Sequence, residues 1–345
     1  MTQREPGVRM DSSVVDQHRL RDRLLTHLEV GRPDLVFYSG LVGVAGAVLA
    51  SGTWSGWQLL GAWAAPTFGW FAAMYGGDYF DRELDKVTKA QRPIPSGRMS
   101  AGTARNGMVV WALLGMVIAV ALNPVNLVLV ALAWSFGLAY SKFLKTRGVW
   151  GNLSRGAITM CAFGVGAFAT TDSPSWVLLP VALVFGLHDA ASNVVGAICD
   201  ADGDREGGYR TFPVRHGEKA SLWLMSALHL AWMALAIGYP AALLPGFSTG
   251  AYAPLLTIAI GMALFSAAML LRASRPIARI PALKSHEVLV IERLVLGCAV
   301  VAGAAGFWWG VGLLVPFVVA TIASSLLLMR GSYEPSRRWR ARSAA

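Results

Sequence analysis

Ten apolar runs, at residues 35–52, 57–76, 104–122, 125–141, 151–170, 176–198, 220–240, 251–272, 288–309 and 311–329, constrain this chain more than any other feature. Each is close to the roughly 17 to 25 residues that a helix needs to cross a bilayer. In hydrocarbon the backbone must satisfy its own N–H and C=O groups, so runs of this length become helices. The composition agrees: 55% of residues are hydrophobic and only 14% charged, too apolar for an ordinary soluble domain. The expected fold class is all-α, a polytopic membrane bundle of nine to ten transmembrane helices. Only the 306–312 region divides the last two runs, so one of them can also be read as a half-span or re-entrant piece.

The basic residues test this division, because Lys and Arg are retained on the cytoplasmic side. With the N-terminus inside, the cytoplasmic segments are 1–34, 77–103, 142–150, 199–219, 273–287 and 330–345. All 30 Lys and Arg fall in these segments or within about two helical turns of them. Arg105, Arg155 and Arg293 are the ones inside a run. A multi-pass protein of the cell membrane with both termini cytoplasmic is expected. The net charge of +10 then belongs to membrane-surface chemistry, and nucleic acid is not expected as a partner. Three organisational parts follow: a basic arm or interfacial helix at 1–30, a transmembrane domain at 31–330 and a basic tail at 331–345. Cys161, Cys199 and Cys298 are scattered and imply neither a disulfide framework nor a zinc site.

Two cytoplasmic loops carry clustered carboxylates, nine of the 20 in the chain, and each follows a span, the second and the sixth. In the first, Asp78, Asp81 and Asp85 stand at i, i+3 and i+7, along one face of a helix. In the second, Asp200 and Asp204 stand at i and i+4, with Asp202 off that face. Stacked carboxylates repel unless a cation neutralises them. Hard divalent ions do so, and Mg2+ takes one or two protein carboxylates with phosphate oxygens and water completing its shell. Two such clusters facing one another would grip a diphosphate. The bland alternative is a pair of solvated juxtamembrane charge clusters. Its weakness is that both clusters lie at one membrane face, each ahead of a basic loop (Lys89, Arg92, Arg98; Arg205, Arg210, Arg215).

The run Asp78-Tyr79-Phe80-Asp81-Arg82-Glu83-Leu84-Asp85, followed by Arg92-Pro93-Ile94-Pro95-Ser96-Gly97, resembles the first signature of the UbiA superfamily of intramembrane prenyltransferases. Asp200-Ala201-Asp202-Gly203-Asp204, leading to Gly208-Tyr209-Arg210-Thr211, resembles the second, and Tyr140-Ser141 with Lys145 is similar to the stretch after the family's fourth helix. The resemblance spans about residues 30 to 240. It implies a helical bundle around a central cavity, with a Mg2+ site at its cytoplasmic end. Asp78, Asp81, Asp85, Asp200 and Asp204 would bind the metal ions, while Arg92, Lys145 and Arg210 would steady the diphosphate. Arg32, at the start of the first span, matches a basic position of the family. Two departures stand out: Gly77 replaces the Asn that usually opens the first signature, and ten runs replace the usual nine.

The sixth span carries Asp189 and Asn193, which share a face with Gly196 and Asp200 at 100° per residue. Polar groups at that depth are costly. They are expected to line the acceptor pocket, with Asp189 taking a proton from the nucleophile; the alternative is that Ser192 and Asn193 join helices while His188 packs against a neighbour. Tyr140, and less directly Tyr75 and Tyr79, are candidates to stabilise a carbocation. The expected activity is Mg2+-dependent transfer of an allylic isoprenoid from its diphosphate to a small, aromatic acceptor. Rival readings are terpene cyclisation and transfer to a glycerol-phosphate or sugar-phosphate hydroxyl. A cation transporter or channel is a rival of another class, but it would place carboxylates near the bilayer midplane, where only Asp189 lies.

Overall fold

The structure, a computed structural model, describes residues 12–329; the first eleven residues and the basic tail from 330 lie outside the described residues. The described residues form helices and no strands. In chain order the helices are α1 (Ser12–Gly31), α2 (Phe37–Ala50), α3 (Gly56–Phe80), α4 (Arg82–Thr88), α5 (Ala101–Leu122), α6 (Asn126–Ala139), α7 (Val149–Thr170), α8 (Leu179–Glu206), α9 (Phe212–Gly238), α10 (Pro240–Leu243), α11 (Thr249–Arg272), α12 (Arg279–Ala305) and α13 (Phe307–Ser324). A π-helical turn, Tyr140–Leu144, extends α6.

Each of the ten apolar runs becomes a helix. Eight of those helices, those numbered 5 to 9 and 11 to 13 apart from the short α10, are long and apolar enough to cross a bilayer. The first two differ from the ten-span expectation in physical detail: α2 is apolar but only 14 residues long, and α3 has 25 residues but is diluted by Gln58, Pro66, Thr67 and several Gly and Trp. The boundary between the last two runs falls at Gly306, where φ is 108° and the helix breaks cleanly; both runs are therefore full helices, and α12 ends four residues before the expected 309.

The bundle is centred on α8 and α12, whose apolar stretches are mostly buried, while few residues of α5, α6 and α13 are buried. Packing follows small residues rather than large ones, as expected where lipid offers no hydrophobic drive between helices. On α2, Gly40, Gly43 and Gly46 stand three apart: Gly43 and Gly46 let the backbones of α3 and α7 approach, and Gly40 makes room for the Trp63 and Thr67 side chains. A Cβ on Gly166 of α7 would overlap the Gly43 carbonyl. Gly166→Ala is expected to lower stability by about 1–3 kcal/mol, since neither backbone can retreat. Thermal unfolding in detergent measures this, and an unchanged midpoint would contradict the close approach.

Candidate functional site

The two acidic clusters meet because α4, which follows α3 directly, packs against α8, whose C-terminal end carries Asp200 and Asp204. Between the helix ends opens a cavity of about 1480 Å³. Its inner wall is apolar, with Met108 and Met116 from α5, Leu129 and Trp134 from α6, and Ile158 and Val165 from α7. Its mouth is charged. The lining residues include eight bases against six carboxylates, an excess that suits an anionic occupant.

Every carboxylate of the first cluster has a basic partner. α3 ends at Phe80, and Asp81 (φ −85°, ψ 4°) breaks the helix before α4. The three aspartates therefore do not turn to one point, as an unbroken helix would have made them. Asp81 faces the cavity and accepts from Lys145 Nζ at 3.0 Å. Asp78 and Asp85 are buried behind it, outside the cavity lining. Asp78 Oδ1 accepts from Arg32 Nη2 at 3.0 Å and Arg92 Nη1 at 3.4 Å; Asp85 Oδ2 accepts from Arg92 Nη1 at 2.7 Å. Arg32 adopts φ 48°, rare for a residue with a side chain, at the turn that leads from α1 into α2. In the second cluster, Asp200 Oδ2 accepts from Lys89 Nζ at 2.9 Å and its Oδ1 from Arg279 at 3.4 Å, while Asp204 is buried and lines the cavity. Asp202 points to solvent against Arg205, off the cluster's face as expected.

The loop from Arg92 to Gly97 is held by its own backbone. Ser96 N donates to Arg92 O and Gly97, at φ 77°, to Ile94 O. The positive φ turns the chain back, a geometry glycine adopts without strain. From this loop Arg92 points inward to Asp78 and Asp85 and lines the cavity. Burial pushes the Asp85 carboxyl above its usual range, opposed by Arg92 and Lys89. Burial also lowers the Lys89 pKa, with Asp200 working against it. For Lys145 the balance is reversed: burial disfavours the ammonium, but Asp81, Tyr140 and Asp204 outweigh it and raise its pKa.

Deeper in the cavity, Asp189, Ser192 and Asn193 all line the wall. Asp189 Oδ2 accepts from Thr159 Oγ1 at 2.9 Å. Tyr140 OH donates to Asn193 Oδ1 at 3.4 Å, and Asn193 Nδ2 donates to Asn152 Oδ1 at 2.7 Å, so Asn193 both lines the cavity and joins helices. His188 turns away to a buried Glu292 on α12.

Five residues are not where the sequence reading put them: Asp78 and Asp85, read as metal ligands, lie outside the cavity lining against Arg32 and Arg92, and Arg210, Tyr75 and Tyr79 lie outside it too. Arg210 is exposed on the loop after α8 and outside the cavity; Lys89 and Arg279 stand at the mouth beside Asp200 instead. Tyr75 pairs with His27, and Tyr79 lies under Arg82; neither lines the cavity. Among the described residues no three His, Cys, Asp or Glu side chains converge to ligate one ion in this arrangement, because the acids are turned to bases. The sequence reading gave no role to Arg155 and Arg293, both cavity-lining. Their position inside apolar runs was the available signal.

These features define a membrane-embedded helical bundle with an acid–base mouth opening on an apolar cavity. The chain belongs to the UbiA prenyltransferase family, whose model matches residues 39–288, and it is a prenyltransferase of that family. The match ends inside α12. The chain is 37% identical over 207 residues to the digeranylgeranylglyceryl phosphate synthase of Ignicoccus hospitalis, covering 58% of this chain and 67% of that relative. It is 32% identical to the enzyme of the same name from Methanothrix thermoacetophila over 231 residues, 63% of this chain and 84% of the relative. In fold it is similar to a UbiA homologue from Aeropyrum pernix, with a TM-score of 0.66 at 20% identity, covering 77% of this chain and 97% of that one. A second fold neighbour is a UbiA homologue from Archaeoglobus fulgidus bound to GPP and Mg2+, with a TM-score of 0.63 at 14% identity, covering 80% and 99%.

Proposed function

We propose that this prenyltransferase moves an allylic isoprenoid from its diphosphate to the hydroxyl of a prenylated glycerol phosphate, with Mg2+ at the mouth of the cavity. The observation that carries this reading is the convergence of Asp81, Asp200 and Asp204 with Lys89, Arg92 and Lys145 in one cavity with an apolar inner wall. The aromatic acceptor expected from the sequence gives way to the hydroxyl alternative, because the relatives just described share the name digeranylgeranylglyceryl phosphate synthase. The orientation with the mouth facing the cytoplasm rests on the distribution of Lys and Arg.

The residues present fit Mg2+. The donors are hard carboxylate oxygens, and a side chain added at Gly77 would meet nothing within 4 Å, so there is open space beside Asp81 where the family signature has Asn. Asp81, Asp200 and Asp204 would hold the metal from the cavity, with Asp78 and Asp85 fixing Arg92 and Arg32 behind them. When bound, Mg2+ neutralises charge on the departing diphosphate. Charge balance in the mouth follows from an exchange of partners: Asp200 and Asp81, now held by Lys89 and Lys145, would turn to the metal, leaving both lysines to donate to phosphate oxygens. The apolar wall keeps water from the electron-poor allylic carbon, and Tyr140, which lines the cavity, would stabilise its charge. As the acceptor oxygen bonds to that carbon and the carbon–diphosphate bond breaks, Asp189 takes the hydroxyl proton on Oδ1, the oxygen not engaged by Thr159.

The test is an acceptor panel. Full chain in lipid nanodiscs receives geranylgeranyl diphosphate and Mg2+ with geranylgeranylglyceryl phosphate, with a phenolic acid, or with no acceptor. Diphosphate release and an ether product are expected with the glycerol phosphate alone. Prenylation of the phenol would restore the aromatic reading, and hydrocarbon formed without acceptor would indicate a cyclase.

A further inference from the structure

Two arginines stand inside the bundle, where charge is costly enough to need a reason. Arg293, within α12, is 5% exposed, and Arg155 belongs to α7; both line the cavity. The Arg293 guanidinium stacks 5.1 Å from the centre of the Tyr38 ring, yet its Nε and Nη2 are buried with no hydrogen-bond acceptor. The Arg155 Nε is 3.9 Å from Asp189 Oδ2, too long for a hydrogen bond. The bases at the mouth are different, since Lys89, Arg92 and Lys145 each hold a carboxylate at close range. Arg293 thus presents a planar fork of N–H donors with nothing to receive them, the geometry that matches a phosphate.

These donors are not part of the diphosphate clamp. Asp189, beside Arg155, lies 11 residues from Asp200 along α8, about 16 Å at 1.5 Å per residue. We propose that Arg293 and Arg155 form a second anion subsite that holds the phosphate of the acceptor, an inference that rests on the glycerol-phosphate reading above. The placement suits the chemistry. Phosphate and reacting hydroxyl lie on the same three-carbon unit, and Asp189, which receives the proton, adjoins Arg155. Holding the phosphate fixes which hydroxyl meets the allylic carbon, and it gives the buried guanidinium donors their acceptors.

The experiment compares binding of geranylgeranylglyceryl phosphate and its phosphate-free counterpart, geranylgeranylglycerol, to full chain in nanodiscs without donor. Wild type is expected to bind the phosphate at least about tenfold tighter, a difference of about 1.4 kcal/mol. In Arg293→Gln that preference falls to within about threefold, while affinity for geranylgeranyl diphosphate with Mg2+ changes by less than about twofold. Arg293→Lys recovers part of it. Arg155→Gln weakens the same preference and serves as the second variant if Arg293→Gln does not fold. Equal wild-type affinity for the two lipids, or a preference unchanged in both glutamine variants, overturns the subsite. Equal weakening of donor and acceptor does so too. Failure of the acceptor reading looks different: prenylation of phenol and not of glycerol phosphate in the panel overturns both, whereas transfer to glycerol phosphate with the preference intact in the variants overturns the subsite alone.

Discussion

Replacing Asp81 and Asp204 together by Asn is expected to lower diphosphate release by roughly 10³-fold, the scale of losing electrostatic stabilisation at a departing anion. Both side chains line the cavity, one at the break between α3 and α4 and the other on the last turns of α8. Asn keeps their size but removes the charge that a divalent ion requires. The comparison that makes the result specific is Asp202→Asn, on the same stretch of α8 but exposed against Arg205; it is expected to stay within about twofold, as an exposed pair contributes little. Mg2+-dependent release that persists in the double variant would remove the aspartates from the chemistry and revive the cation-transport reading.

Arg92→Ala is expected to act first on stability. One guanidinium serves Asp78 and Asp85, whose side chains are 5% and 3% exposed. Removing one partner of a buried pair costs about 3–5 kcal/mol, because the other charge stays buried. Arg32 still reaches Asp78, so the greater burden falls on Asp85. Burial already holds the Asp85 carboxyl above its usual range, and loss of Arg92 raises it further. A carboxyl raised in the folded state takes up protons more readily than in the unfolded chain, so the variant should regain stability as pH falls from neutral toward about 4. Thermal unfolding across that pH range is the measurement. A midpoint unchanged at neutral pH, or one that falls further with acid, would show that Arg92 does not neutralise this pair.

The helices and the two acidic clusters were legible because each follows from a short-range rule. Apolar length sets a span, and the spacing of Asp200 and Asp204 sets a helix face. The ends were less legible: hydropathy reports the thickness of hydrocarbon and not where a helix stops, so α12 begins at Arg279, well before its apolar run. The break at Asp81 was hidden because Asp78, Asp81 and Asp85 keep helical spacing on both sides of it. The signature also could not assign each base to its partner. Arg92 turns back on Asp78 and Asp85, while Lys89 crosses to Asp200, a pairing between residues 111 apart that only tertiary packing decides. Arg210 has the right motif and the wrong place, since its loop carries it to solvent. Arg155 and Arg293 were visible as charges in apolar runs, but their convergence on one cavity depends on how α7 and α12 are rotated.

The central claim is that the acids and bases of the mouth exchange partners to hold a metal and a diphosphate. Binding of a non-hydrolysable geranylgeranyl thiodiphosphate to the full chain, titrated with and without Mg2+, tests it most directly. Tight binding that requires Mg2+ and disappears in the Asp81→Asn, Asp204→Asn chain is the predicted result. Equal affinity without Mg2+, or in the double variant, would contradict it.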